Sequence, residues 1–495
     1  MMSILAKQNF RGAYHVSPQV NWMNDPNGMV YFEGEYHLFY QHNPFGDTHG
    51  PMYWGHVVSK DLITWEERDI ALLPDEHGVI FSGSAVVDWE NTTGLFPAGP
   101  GLVAIFTHHL EIQGSHPIQR QSLAYSMDKG KTWVKYAGNP VLAHETFVDF
   151  RDPKVFWHKE TNRWVMIIAC GQTVCLYHSS NLIDWTLGSE FGDGIGSHDG
   201  VWECPDLFPL AIDGDESNTK WVMLVSIGAD PAFVEGSRTQ YFTGDFDGVV
   251  FTPDAASEVV RWVDHGRDNY AGVTWSDIPE SDGRRLMISW MSNWHYANQT
   301  PTEGFRGAMT IVREMSLELR EGIVTLVQKP VAELELIRKP IVALQDATIN
   351  ETSQALQRLE LVSYEIQAEL STNYSSGFMI RTGAANGTIV GFDATSCSVY
   401  VDRTKSGEIG FHPLFSGIQA AKVVTSTSGE SIDLRVFVDS ASVEVFANKG
   451  QAVITDLIYP DPDAVGISYF TDNANEPLAS LSIYELVPDT KDNVN

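Results

Sequence analysis

Cysteine is scarce. Four residues in 495, at positions 170, 175, 204 and 397, are too few for a disulfide framework in so long a chain. Cys170 and Cys175 flank a hairpin turn and stand near enough to meet, but free thiols are expected. Cys204 reads as a packing residue, since no base stands near it in sequence to make it a nucleophile. Basic residues are also few, 32 against 64 acidic ones, for a net charge of −32. So negative a surface repels nucleic acid and anionic membranes, and neither is expected as a partner. No apolar run reaches membrane-spanning length, and Met1-Met2-Ser3-Ile4-Leu5-Ala6-Lys7 lacks the apolar core of a signal peptide, so a cytoplasmic enzyme is the default expectation. Sequons at Asn91, Asn298, Asn350, Asn373 and Asn386 leave open a secreted origin with the leader removed. No nucleotide, flavin or metal motif occurs, so no cofactor is expected, and His108 and His109 lack metal-ligand spacing. The oligomeric state stays open, a homo-oligomer included.

Helical periodicity is also nearly missing between Gly28 and Pro330, where short runs alternate with turns. Aromatic content is high, 11% with 14 Trp, and 41 Gly and 23 Pro are spread along the chain, which suits many short strands joined by tight turns. A loosely similar turn recurs at Ser59–Trp65, Ser126–Trp133 and Ser179–Trp185, with a relative at Gly244–Gly248. Its spacing, on the order of 50 to 70 residues, is close to a four-stranded propeller blade with loops and divides the region into about five. Beyond Ile341 the vocabulary changes: Leu434, Val436 and Val438, then Val443, Val445 and Ala447, alternate strictly around the turns at 439–441 and 448–450. The expected organisation is a catalytic propeller over 1–335, a linker over 336–355 and a β-sandwich over 356–495, with a polar tail from Pro488.

The densest stretch is Trp22-Met23-Asn24-Asp25-Pro26-Asn27-Gly28. Its Pro, Asn and Gly make it a surface turn on one reading. On the other it is a site, because apolar bulk around Asp25 raises a carboxyl pKa unless donors compensate. Two further acids lie in equally odd settings. Asp152 follows Arg151, which would hold it ionised, and Glu203 sits in Trp202-Glu203-Cys204-Pro205, an apolar setting that favours the protonated form. One acid charged and another neutral is what glycosidic bond cleavage requires.

Taken together, WMNDPNG, YHLFYQHNPFG, WGHVVSKDLITWEE, FSGSAVV, FRDPKVFW and WECPDLF resemble glycoside hydrolase family 32, the invertases, exo-inulinases and levanases. The resemblance runs from about His15 to the C-terminus. It implies a five-bladed β-propeller followed by a β-sandwich, and an exo-acting retaining hydrolase releasing terminal β-D-fructofuranosyl units from sucrose, fructo-oligosaccharides, inulin or levan. It implies Asp25 as nucleophile, Glu203 as acid and then base, and Asp152 as binder of sugar hydroxyls and stabiliser of the transition state. Arranged radially, blades deliver their inner strands to one funnel, so the three acids would come from the first three blades. The resemblance further implies a fructose pocket of Trp22, Asn24, Gln41, Trp54, Phe81 and Ser82, joined by Arg151, Tyr270 and Trp294. Where many exo-acting relatives carry Asn-Pro-Gly-Gly, this chain has Gly228-Ala229-Asp230-Pro231-Ala232-Phe233-Val234-Glu235-Gly236. Fructosyl transfer through the same covalent intermediate is an alternative. Ser126–Trp133 fits the Asp-box turn of sialidases, but an acidic sugar needs an arginine cluster that this chain does not display. An arabinan-cleaving propeller and an inactive carbohydrate-binding protein are the remaining readings.

Overall fold

The structure, a computed structural model, describes residues 10–423 and 431–488. The stretch Met1–Lys7 and the tail beyond Pro488 lie outside the described residues.

The turn-punctuated half forms five blades of antiparallel strands around one axis, the fourth and fifth joined into one eight-stranded sheet where Ile212 pairs in parallel with Leu317. The first runs Asn21–Phe32, Glu35–Asn43, Tyr53–Ser59, Trp65–Leu72 from centre to rim. The second runs from Val79–Asp88 outward, the third from Phe150–His158, the fourth from Trp202–Ile212 and the fifth from Tyr270–Thr274. These five inner strands touch their neighbours in a closed ring, the fifth returning to the first. Closure is reinforced by Phe305–Arg306, which pairs in parallel with the start of the first inner strand, Asn21 opposite Phe305. The apolar runs explain the stacking of blades, since strands buried on both faces interdigitate with both neighbours. Between the third and fourth, Val165, Ile167 and Leu176 pack against Trp202, Leu207 and Met223.

The recurring turn joins the third strand of a blade to its outermost one. In each full copy a serine hydroxyl and an Asp or Asn side chain take the backbone N–H groups: Ser59 with Asp61, Ser126 with Asp128, Ser179 with Asn181. Leu62, Lys129 and Leu182 occupy the left-handed region there, with φ of 63°, 65° and 62°. The Asp-box stretch is therefore a hairpin device, one copy among several.

The C-terminal half is a sandwich of a six-stranded and a five-stranded antiparallel sheet. Leu434, Val436, Val438, Val443, Val445 and Ala447 all enter its core, while Phe437 and Phe446 on the other face join the apolar cluster of the propeller. Charged groups are sealed into the same interface. Arg313 of the fifth blade bonds Glu444 at 2.6 Å and Asp264 at 2.9 Å, and His15 bridges Asp439 at 2.7 Å and Glu444 at 3.0 Å.

Three expectations are corrected. The stretch 336–355 is no free linker: Arg338–Ala347 is an edge strand of the six-stranded sheet, paired with Leu478–Leu486, and Ile349–Leu356 is a helix capped by Thr348 and Glu351. Its polar composition reflects an edge strand with one solvated side. Cys170 and Cys175 are disulfide-bonded, because the hairpin register sets Cys170 opposite Thr173 and brings Cys175 diagonally onto the same face, Cα atoms 6.0 Å apart. The acids come from the first, third and fourth blades; the second inner strand, Val79–Asp88, carries Phe81 and Ser82 at the corresponding place.

Candidate active site

Every inner strand loses its ladder register at the same level. The slips fall between Met23 and Pro26, Ile80 and Gly83, Arg151 and Lys154, Glu203 and Asp206, and Tyr270 and Val273. The residues at or within them include Asn24, Asp25, Phe81, Ser82, Asp152, Cys204 and Ala271. A bulge frees a side chain from the alternation of a strand and re-aims it, so five bulges stacked round one axis turn these residues onto a common space. Asp152, Cys204 and Ala271 take left-handed backbone, φ 65°, 45° and 53°. Holding non-glycine residues there costs on the order of 1 to 3 kcal/mol each, strain typical of functional sites. The NDPNG motif is thus an inner strand with a bulge. Its Gly28 is needed because φ is +52° and an added Cβ would lie 2.7 Å from the Phe39 ring and 2.8 Å from Trp54.

Asp25 and Asp152 meet at the thiol of Cys204, which lies 3.5 Å from Asp25 Oδ2 and 3.6 Å from Asp152 Oδ2. The Cys204 N–H also donates to Asp152 Oδ2 at 3.0 Å, and Ser82 Oγ donates to Asp25 Oδ2 at 2.9 Å. Asp25 Oδ2 is thereby fixed, whereas Oδ1 is buried without a hydrogen bond. Burial pushes the Asp25 carboxyl up to about 6, helped by the charge of Glu203 and opposed by donors that include Ser82. Burial likewise raises Asp152 to about 7 against the opposing charge of Arg151.

Arg151 makes its hydrogen bonds away from the acid beside it, on which it acts by charge alone. Its Nη2 donates to Glu203 Oε1 at 2.8 Å and Nη1 to Asp149, while Nε stays 4.0 Å from Asp152. Adjacent side chains leave an extended strand in opposite directions, so the guanidinium reaches across to the next blade. Glu203 consequently sits in a polar setting, corrected from the apolar one expected: Arg151 holds Oε1 and the Tyr270 hydroxyl donates to Oε2. With 21% of its side chain exposed, Glu203 is the most open of the three acids, against 6% for Asp152.

Around them, Trp22 stacks on Trp294 at 6.0 Å between ring centres and fixes Asn24 through a 2.6 Å bond from Nε1. Phe81 stacks on His109 at 4.2 Å. Gln41 is buried, its amide nitrogen without a partner. Trp54 is fully buried in the core between the first two blades and donates to Phe81 O at 3.0 Å, so it braces a lining residue. The sequence reading missed Asp149 and Gln119, which both accept from Arg151, and His49, edge-on to Trp22 and Trp294. Asp149 carried a signal, since residues i and i+2 share a strand face and Arg151 needed a partner there. Cys204 is more than packing, being the thiol shared by two acids. Among the described residues, no group of three or more His, Cys, Asp or Glu is arranged to hold a metal ion, and no helix is long and apolar enough to cross a membrane.

The chain matches the description "Glycosyl hydrolases family 32 N-terminal domain" over residues 15–330 and "Glycosyl hydrolases family 32 C terminal" over 333–485. It is 49% identical over 486 residues to the levanase of Bacillus subtilis (strain 168), covering 97% of this chain and 71% of that protein. The crystal structure of exo-inulinase from Aspergillus awamori superposes with a TM-score of 0.88 at 34% identity, over 97% of this chain and 99% of that one. The β-fructofuranosidase of Schwanniomyces occidentalis complexed with fructosyl-erythritol does so with a TM-score of 0.86 at 30% identity, over 99% and 100%. These matches cover both domains in order, and the chain belongs to glycosyl hydrolase family 32.

Proposed function

We propose that the chain is an exo-acting β-fructofuranosidase that releases terminal β-D-fructofuranosyl units from sucrose and fructans with retention of configuration. The observation that carries this reading is the meeting of the three acids: the Cys204 thiol lies within reach of both Asp25 Oδ2 and Asp152 Oδ2, and Arg151, next to Asp152, holds Glu203 Oε1. The names of the levanase, exo-inulinase and β-fructofuranosidase relatives support the substrate class.

In the first step Asp25 Oδ1 attacks the anomeric carbon of the terminal fructosyl unit. The glycosidic C–O bond breaks, its electron pair stays on the leaving oxygen, and Glu203 delivers a proton to that oxygen. Burial raises both Asp25 and Asp152, and Glu203, the most open of the three acids, is the group placed to reach the leaving oxygen. Asp152, bonded to the Cys204 N–H, accepts from sugar hydroxyls and faces the positive charge that develops on the ring. In the second step Glu203, now a carboxylate, takes a proton from water as the water attacks the same carbon, and Asp25 is released. The partly buried indole of Trp294, backed by the fully buried Trp22, suits the apolar side of the sugar.

A product profile on sucrose, inulin and levan tests the assignment. Free fructose in excess from all three, through a product that first appears as the β-anomer, is the expected result. Kestose-type products would make the chain a transferase, and no turnover on any of the three overturns the reading.

A further inference from the structure

Tyr270 reaches Glu203 from a segment that the sandwich holds. Residues 264–268 run beside the sandwich strand Ala452–Leu457: the His265 N–H donates to Val453 O at 2.8 Å and the Asp268 N–H to Thr455 O at 3.1 Å. Asp268 is fully buried and both its oxygens are taken. Oδ1 accepts from the Tyr296 hydroxyl at 2.7 Å, and Oδ2 from Arg403 Nη1 at 2.5 Å and from the Leu457 N–H at 2.8 Å. Arg403, following sandwich strand Ser398–Asp402, is itself fully buried, bonds Leu457 O and the Tyr296 hydroxyl at 3.0 Å each, and lies 4.1 Å from the centre of the Phe415 ring. Two residues beyond Asp268 the fifth inner strand opens with Tyr270, whose ring lies edge-on to Trp290 at 6.3 Å.

We propose that Arg403 is a positioning residue for the reaction: by fixing Asp268 it fixes Tyr270, and through that hydroxyl the plane of the Glu203 carboxyl group. This rests on the reading of Glu203 as the acid and base. Arg151 holds Glu203 through Oε1 alone, from Nη2 at 2.8 Å and Nε at 3.3 Å, which leaves the carboxyl group able to swing about that oxygen, and a donor on Oε2 removes the freedom. A proton donor must lie along the leaving oxygen, and misplacement by an ångström lowers the rate about a hundredfold. The sandwich then takes part in catalysis without touching substrate.

The test compares sucrose with p-nitrophenyl β-D-fructofuranoside, whose leaving group needs little protonation. Arg403→Lys and Asp268→Asn, which keep size and most packing, should lower kcat/KM on sucrose roughly tenfold, lower kcat/KM on the aryl fructoside, which reports the bond-breaking step alone, less than about twofold, and shift the alkaline limb of the sucrose pH profile. Tyr270→Phe, which removes one hydroxyl and leaves the fold intact, should behave alike, and Asp268→Asn with Tyr270→Phe should be no slower than Tyr270→Phe alone. Equal losses in kcat/KM on both substrates, or additive losses in the double variant, overturn the proposal. Glu203→Gln separates the two levels. If it shows the leaving-group dependence while Asp268→Asn does not, Arg403 has no positioning role; if Glu203→Gln lacks it too, the acid assignment itself is wrong.

Discussion

Asp25 is the most informative group to perturb, because its burial couples chemistry to stability. Its carboxyl is raised from 3.8 to about 6, chiefly by burial. A carboxyl raised in the folded chain favours folding while protonated; that contribution is complete below pH 3.8 and lost as pH rises through 6. At about 1.36 kcal/mol per unit, ionising Asp25 in place costs about 3 kcal/mol at pH 8, of which about 1 kcal/mol is already present at pH 4.5. Asparagine does not ionise, so the stability of Asp25→Asn relative to the parent chain should rise by about 2 kcal/mol between pH 4.5 and pH 8. Urea unfolding followed by tryptophan fluorescence measures this, since urea adds no ionic strength and the midpoint multiplied by the measured slope gives the difference. An offset that stays constant or shrinks with rising pH would refute the account of the site as desolvated. The same variant lacks the nucleophilic carboxylate, and its turnover on sucrose should fall by at least about 10⁴-fold.

Removing the Ser82 hydroxyl deletes a donor to the ionised form of Asp25; Ser82→Ala should move the acidic limb of the kcat/KM profile on sucrose upward by about one unit, from about 1.5 kcal/mol for a hydrogen bond to a charge. At the domain interface His15 is raised to about 9: burial opposes its charge, but bonds to Asp439 and Glu444 prevail. The stability it contributes is present in full below pH 6.5 and lost as pH rises through 9, so the melting temperature of the parent chain should fall between pH 7 and 9.5, and His15→Gln should flatten that slope. Arg313→Met leaves Asp264 buried without its cation and Glu444 with His15 alone, a loss of about 3 to 5 kcal/mol, and calorimetry should find a lower, split transition as the domains uncouple. Gly228, at the start of the loop that departs from exo-acting relatives, lies beside Glu203, where an added Cβ would come 3.3 Å from Oε2. Replacing Phe233 and Glu235 should therefore change the sucrose-to-inulin activity ratio, and an unchanged ratio counts against a role for that loop on the leaving-group side.

Much of this molecule is legible in its text because its elements are local. Strand runs, turn residues and alternation at Leu434–Ala447 depend on neighbours in sequence, and the propeller and sandwich follow from their number and spacing. What stayed hidden depends on pairing across blades. Arg151 stands next to Asp152 in sequence, yet bonds Glu203, fifty-two positions away. Arg338–Ala347 reads as polar connecting chain until Leu478–Leu486 supplies its partner, and the Cys170–Cys175 bond depends on a hairpin register that slips by one residue without changing the composition.

The bulges explain why the acids could be found from sequence while their protonation could not. A bulge next to proline or glycine leaves a written trace, as in Asp25-Pro26, Asp152-Pro153 and Cys204-Pro205. Each proline takes one N–H out of the ladder at the register slip, which makes regular pairing unfavourable there and leaves the preceding residue free to turn toward the axis. Proton affinity has no such trace. It is set by how much water five converging strands exclude and by which blade supplies the guanidinium, and both are properties of the closed ring, absent from any one strand. Asp-Pro and Cys-Pro steps near the start of the first, third and fourth inner strands therefore mark where this propeller places its chemistry, and the charge each acid carries there follows only once the ring is built.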